Sequence, residues 1–469
     1  LHINVVENME KIMNKLPDNF FWGGSVTSFQ TEGAAYEDGK GLSMYDLHKR
    51  ENGEPKWDHG IDFYHRYKED IAMMEELGLN FYRFSLCWAR IQPDGETKIN
   101  EKGIAYYNNV IDELLAHGIT PMITLDHYDI PLPLKEKYNG FFSRRVVNAF
   151  EKFTEICVKA FGDRVKYWMT FNEQNDYAKE TTKAGATVVP VGMSYSKFLY
   201  QVNHNILIAH CKAIKMIRKY YDDAKICGMI ALTNFYPNDK TPENSMFCML
   251  ADLYTHQFHG YVFTKGRYPE YMIRYFKNHH CMPEFEEGDE ELLKYTVDFL
   301  GVSYYRSYTL TTGDFEEDKP FYDVIEKNIV RNENLDITNW GWEVDPVGLR
   351  NNLTNLYTRY ELPLLILENG YSHLEDLCDN NEINDDYRIK FHHDHLVEMK
   401  KAIELDGVDC FGYITWGPFD MLSSSGDMNK RYGFIFVNRT NDDLRDMKRF
   451  KKKSFAYMKK VYKSNGEEI

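Results

Sequence analysis

The sequence lacks several features that would place it in a specialised class. Among its 469 residues no apolar run approaches the roughly 18–20 that a membrane-spanning helix needs, so the pattern argues against such a span. Its eight cysteines (Cys87, Cys157, Cys211, Cys227, Cys248, Cys281, Cys378 and Cys410) lie far apart, with no C-x-x-C. Several sit inside apolar runs, as in "VDCFGYITW", the pattern of free buried thiols expected in a reducing cytoplasm. Positive charge is also scarce. With 56 Lys and Arg against 72 Asp and Glu, the net charge of −16 argues against nucleic acid or an anionic membrane surface as a partner. An anionic substrate would therefore need a local positive pocket set against a repulsive global field. The basic stretch "KRFKKKSFAYMKKVYK" (448–463) reads as a terminal helix with a solvated face. No G-x-S-x-G elbow occurs, and no H-x-H or H-E-x-x-H lies on an expected strand. No G-x-G-x-x-G follows an early strand either, which weakens a doubly wound open sheet.

What the chain does have is an alternation. Segments with apolar residues at helical spacing, such as "YHRYKEDIAMMEELG" (64–78), precede short apolar strands such as "LNFYRFSL". The pattern recurs through "ITPMITL", "VKYWMTF", "KICGMIAL", "DFLGVSYY", "LPLLIL" and "DCFGYITW", with "FFWGGSV" near the start. Eight strands separated by helices predict an α/β fold with a parallel sheet, closed as a single (β/α)8 TIM barrel with long βα loops. The barrel domain is expected over 16–465. Residues 1–15 have no signal-like apolar stretch and read as an extra segment ahead of the fold.

Barrel enzymes keep their chemistry at the C-terminal ends of the strands. In this chain those ends carry Arg83, His127, Asn172, Glu173, Tyr305, Glu368 and Trp416. Two glutamates each lie beside an amide, in "FNEQN" and "LENG", after apolar strands. Paired carboxylates suit glycoside cleavage, one held protonated to serve a leaving oxygen and the other ionised to attack carbon. An arginine such as Arg83 would hold the attacking carboxylate ionised, while nearby negative charge would keep the other protonated. A metal set of His127, Glu173 and Glu368 competes, but the spacing of known metal motifs is missing, so no metal is expected.

The stretches "LPDNFFWGGSVTSFQTEGA", "YRFSLCWARIQPDG", "TLDHYDIP", "TFNEQN", "DFLGVSYY", "LILENG", "YITWGPFD" and "KRYGFIFVN" together resemble glycoside hydrolase family 1. The resemblance implies a retaining β-glycosidase that needs no cofactor. It implies Glu173 as general acid/base and Glu368 as nucleophile, with Arg83, Tyr305 and Asn172 supporting the nucleophile. Asn172, Gln30, His127 and Trp416 would bind the glycone, and Trp342 would line the aglycone side. Retention predicts carboxyls about 5–5.5 Å apart.

Departures from the family pattern bear on the substrate. Members acting on plain glucosides carry a Glu three residues after the Asp that matches Asp420; here "DMLSSSGDMNKRYGF" has Ser423 there. Losing that carboxylate removes repulsion of an anion at the sugar's 6-position. Lys430 adds a compact positive charge, and Tyr432 lies on the same side of an extended segment. Ser423, Lys430 and Tyr432 thus resemble the phosphate cradle of the 6-phospho-β-glucosidase branch. The small Ser424 favours glucose over galactose. The expected ligand is a small phosphorylated β-glucoside hydrolysed to glucose 6-phosphate. The competing readings are a β-glucosidase on plain glucosides, a 6-phospho-β-galactosidase and a non-catalytic sugar-binding barrel. A cytoplasmic location is expected, and a homo-oligomer is left open.

Overall fold

The computed structural model describes residues 16–49, 56–313, 319–377 and 382–469. The expectations for residues 1–15 and for Cys378 fall outside the described residues. Eight parallel strands alternate with helices: β1 (Phe21–Val26), β2 (Phe81–Ser85), β3 (Thr120–Asp126), β4 (Tyr167–Phe171), β5 (Lys225–Pro237), β6 (Phe299–Leu310), β7 (Leu364–Glu368) and β8 (Cys410–Trp416). Each pairs with its chain neighbour, and β8 pairs with β1, so the sheet closes as the (β/α)8 barrel expected.

The connecting helices are set by their termini and apolar faces. Helix α1 (Phe63–Leu77) ends at Gly78, whose φ of 99° is the left-handed cap that glycine adopts without a Cβ penalty. Helices α2 (Glu101–Ala116), α3 (Arg144–Phe161) and α4 (Tyr195–Tyr220) each bury a stripe against the barrel. After β5, α5 (Phe258–Lys265) packs on the strand. Helix α6 (Pro346–Tyr360) starts with Pro346 behind Asp345, whose carboxylate accepts from Gly348 N at 2.9 Å. Helix α7 (Asp386–Glu404) precedes β8, and α8 (Lys453–Lys463) closes the chain's helical shell.

Inside the barrel Phe81, Met122, Met169, Cys227, Met229, Phe299, Leu365, Leu367 and Ile414 form a separate apolar plug. Side chains alternate along a strand, so two residues beyond Phe81 the next inward position on β2 is Arg83. The plug is therefore the floor on which the polar mouth stands.

Two sequence expectations need correction. Strand β6 does not end near Tyr305 but runs on to Leu310, paired with β5 as far as Pro237. Tyr305 is therefore mid-strand. The basic C-terminal segment is not one solvated helix either. Arg449–Lys451 is a strand paired with Ile435–Val437, and only then does α8 begin. Two of its cations are buried: Arg449 donates twice to Asp70 at 2.8 Å, and Lys452 bridges Asp420 (2.7 Å) and Glu375. Internal carboxylates, rather than water, supply these cations with their partners. Among the described residues no helix is long and apolar enough to cross a membrane.

Candidate active site

The strand ends open into a cavity of about 720 Å³ lined by Gln30, His127, Asn172, Glu173, Tyr305, Trp342, Glu368, Trp416, Ser423, Lys430 and Tyr432. Of the residues singled out from sequence, only Arg83 does not line it. Arg83 is fully buried one layer below and acts through its contacts.

Glu368 ends β7 and is 4% exposed. Its place depends on an irregularity in the strand. Ile366 faces Val302 of β6 and Glu368 faces Ser303, so two steps on β7 match one on β6. Strict alternation after the inward Leu367 would turn Glu368 outward. The bulge resets that alternation and points the carboxylate into the mouth. There Arg83 Nη1 donates to Oε1 at 2.6 Å, and the Tyr305 hydroxyl donates to Oε2 at 2.8 Å.

Arg83 is itself held on every side. It donates to Ser25 Oγ and Thr124 Oγ1, both at 2.9 Å, to Asn172 Oδ1 at 2.5 Å, and to His127 Nδ1 at 3.3 Å. A guanidinium with all its donors engaged forms a rigid base for the carboxylate. Burial, with Arg83 beside it, pushes His127 well below the ordinary histidine range. The ring is therefore neutral. With Nδ1 accepting from Arg83, Nε2 keeps the proton and offers a donor to the cavity.

Glu173 follows β4 with φ 37° and ψ 63°, a left-handed conformation uncommon for a side-chain-bearing residue. Flanking hydrogen bonds hold it, Asn172 N to Asp126 O at 3.0 Å and Asp176 N to Glu173 O at 2.8 Å. The Ser303 hydroxyl donates to Oε1 at 2.5 Å and the Tyr128 hydroxyl to Oε2 at 3.0 Å. Among the described residues no cation pairs with this carboxyl. Burial, then the charges of Glu368 and Asp176, push it up to about 7. Burial also raises Glu368, but Arg83 and the Tyr305 hydrogen bond oppose the rise. Two carboxyls in one cavity thus have unlike surroundings, one on a guanidinium and one among hydroxyls. The first is built to stay ionised, and the second to hold a proton near neutrality.

Elsewhere in the cavity lining, Lys430 Nζ lies 3.7 Å above the Trp342 ring, which also stacks with Arg306 at 4.6 Å. Burial and the Arg306 charge lower Lys430 to about 8. Among the described residues it makes no hydrogen bond or ion pair. Ser423 Oγ is bonded to Ser425 Oγ at 2.8 Å, and the Tyr432 ring lies 6.1 Å from that of Tyr305. Gln30 lines the cavity with its amide pinned, donating to Leu422 O at 2.5 Å. Trp416 stands beside His127, ring centres 5.8 Å apart.

Sequence reading missed several members of the site. Ser303, within the stretch "DFLGVSYY", bonds Glu173. The Tyr128 hydroxyl links Glu173 to Asn172, whose Nδ2 donates to it at 3.1 Å. Ser25 sits directly opposite Arg83 in the β1–β2 register, a pairing that only the structure reveals. Among the described residues no group of three or more His, Cys, Asp or Glu could hold a metal ion.

A fold and site of this kind define a barrel glycosidase, and the comparisons agree. The family model for glycosyl hydrolase family 1 matches residues 12–467. The aryl-phospho-β-D-glucosidase BglH of Bacillus subtilis is 41% identical over 467 residues, covering 97% of this chain and 99% of that protein. A 6-phospho-β-glucosidase of Clostridium longisporum is 40% identical, covering 97% and 98%. Among solved structures, the β-glucosidase of Thermotoga maritima in complex with deoxynojirimycin superposes with a TM-score of 0.86 at 30% identity, covering 97% of this chain and 99% of that one. The chain belongs to glycosyl hydrolase family 1.

Proposed function

We propose that the protein is a retaining 6-phospho-β-glucosidase, releasing D-glucose 6-phosphate from phosphorylated β-glucosides. Glu368, fixed on Arg83 and Tyr305, attacks the anomeric carbon. Glu173 gives its proton to the departing oxygen, then takes one from the water that releases the glycosyl-enzyme. Asn172 and His127, both bound to Arg83, hold donors toward the sugar hydroxyls.

The observation that carries the phosphate reading is Lys430. It is a half-buried ammonium without an anionic partner among the described residues, weakened to about 8 by burial. A sugar phosphate dianion would supply the missing partner and restore its charge. Ser423 and Tyr432 line the same cavity, the Tyr432 ring 5.8 Å from the Lys430 ammonium, and no carboxylate stands at position 423 to repel the anion. Such remote contacts hold the ring against the nucleophile, so they serve rate as well as binding. A glucose configuration is supported by the small, exposed Ser424 on the cavity rim. The seven described cysteines are free and buried, which fits a cytoplasmic protein.

Lys430→Ala tests the assignment. It should lower kcat/KM on an aryl 6-phospho-β-glucoside about 10- to 100-fold, the value of a hydrogen bond to a charged group, with little loss on the plain glucoside. Equal losses on both substrates would overturn the phosphate reading.

A further inference from the structure

Near Glu173 lies an ion pair that the proposed mechanism does not use. Two short 3-10 turns follow β4, Gln174–Ala178 and Thr181–Ala184. They place Asp176 and Lys183 together, Nζ to Oδ2 at 2.5 Å, and both residues line the cavity. The Lys183 ammonium also sits 4.7 Å above the ring of Tyr128. That tyrosine's hydroxyl donates to Glu173. The Asp176-paired ammonium of Lys183 therefore lies one aromatic ring away from the Glu173 carboxyl.

We propose that Asp176 is a positioning residue that restrains Lys183, so that its ammonium does not pair with Glu173 and strip it of its proton. The inference rests on the reading of Glu173 as acid/base. An ammonium at hydrogen-bond distance would favour the ionised carboxylate and remove the acid from the first step. Lysine has the reach for this, carrying its charge on four methylenes. Asp176 anchors it by the side chain and is itself fixed by the backbone, donating its N–H to Glu173 O at 2.8 Å.

Other groups facing Glu173 do not substitute for this restraint. Glu368 on β7 is committed to Arg83. Ser303 and Tyr305 on β6, Tyr128 after β3 and Tyr322 on the helix Phe321–Lys327 are neutral hydroxyl groups. Arg306 and Lys179 act on Asp176, and Lys179 is itself paired with Glu326 at 2.8 Å. Among the described residues Lys183 is thus the cation whose release would change Glu173 directly. Burial and the charges of Glu368 and Asp176 raise Glu173 to about 7, and Lys183 opposes the rise even from its paired position.

The test is the pH dependence of kcat/KM on aryl 6-phospho-β-glucosides with poor and activated leaving groups. Asp176→Asn should move the alkaline limb to lower pH by about 1–3 units, the effect of an opposite charge at close range. The loss at pH 7 should be large for phenol and small for 2,4-dinitrophenol, which leaves without protonation. Because the Asp176 charge itself raises Glu173, Asp176→Asn made in Lys183→Met isolates that direct effect and should move the limb far less than it does in the wild-type background, while Asp176→Glu should leave the limb in place. A loss in Asp176→Asn that is independent of pH and leaving group, or a shift undiminished in the Lys183→Met background, would overturn the inference. Glu173→Ala, run alongside, separates the two readings: equal losses on both leaving groups would remove the acid/base assignment itself.

Discussion

At the scale of the residue, the site works by giving two carboxyls different company. Glu368→Gln should reduce turnover to background, and near-normal hydrolysis would refute the nucleophile. Glu173→Ala should cost about 10²–10⁴-fold with poor leaving groups and far less with activated ones. If Glu173 is the acid proposed, it must be protonated in the first step, and since it sits at about 7, kcat/KM should fall as pH rises through neutrality. The same raised value bears on stability. An unfolded glutamate ionises near pH 4.5, so the folded state is progressively disfavoured between 4.5 and about 7. Glu173→Gln should therefore melt at a higher temperature than wild type at pH 8, and a lower melting temperature would contradict this.

The sequence revealed which residues lie at the mouth but not how they are aimed. "LILENG" reads as a strand ending in Glu368, and strict alternation would turn that side chain away from the plug residue before it. The bulge against Ser303 that turns it inward leaves no local signature, because it is set by register with a strand 65 positions earlier, Glu368 facing Ser303. Arg83 was legible as a candidate because an arginine inside an apolar strand demands buried partners. Its partners Ser25 and Thr124 were not, being small and common residues.

At the scale of the element, boundaries written in local chemistry were readable. Asp345 and Pro346 open α6, and Gly78 closes α1, as their residue types dictate. The C-terminal segment was misread because charge pattern alone cannot tell a solvated lysine from one paired internally. Lys452 is 2% exposed and holds Glu375 and Asp420, which in turn bind Arg388 and Arg431. This knot fixes the loop that carries Ser423, Lys430 and Tyr432. Removing one member strands buried charges, so Lys452→Met should destabilise the protein by about 3–5 kcal/mol. Calorimetric melting reads the effect, and a shift within error would show the knot to be dispensable.

For the whole molecule, the barrel was legible because eight helix–strand units repeat and parallel pairing demands crossovers. Its long β5–β6 extension was not, since those strands leave the barrel and pair beyond it. The knot also sets an acid limit. Burial raises Glu375, but Lys452 and Arg388 more than offset it and hold the group at about 2 against 4.5 when unfolded. A depressed carboxylate stabilises fully above pH 4.5 and loses that contribution as pH falls toward 2. Denaturant midpoints should therefore drop steeply between pH 4.5 and 2, and less so in Glu375→Gln, after allowance for its lower starting stability.

The net charge of −16 makes a phosphate-binding mouth an exception to the surrounding field. Comparing kcat/KM for one aryl β-glucoside with and without a 6-phosphate is the most direct test of that exception. A preference of at least about 100-fold for the phosphorylated form is expected from several charge-assisted contacts. Equal rates, or a preference for the plain glucoside, would contradict the account.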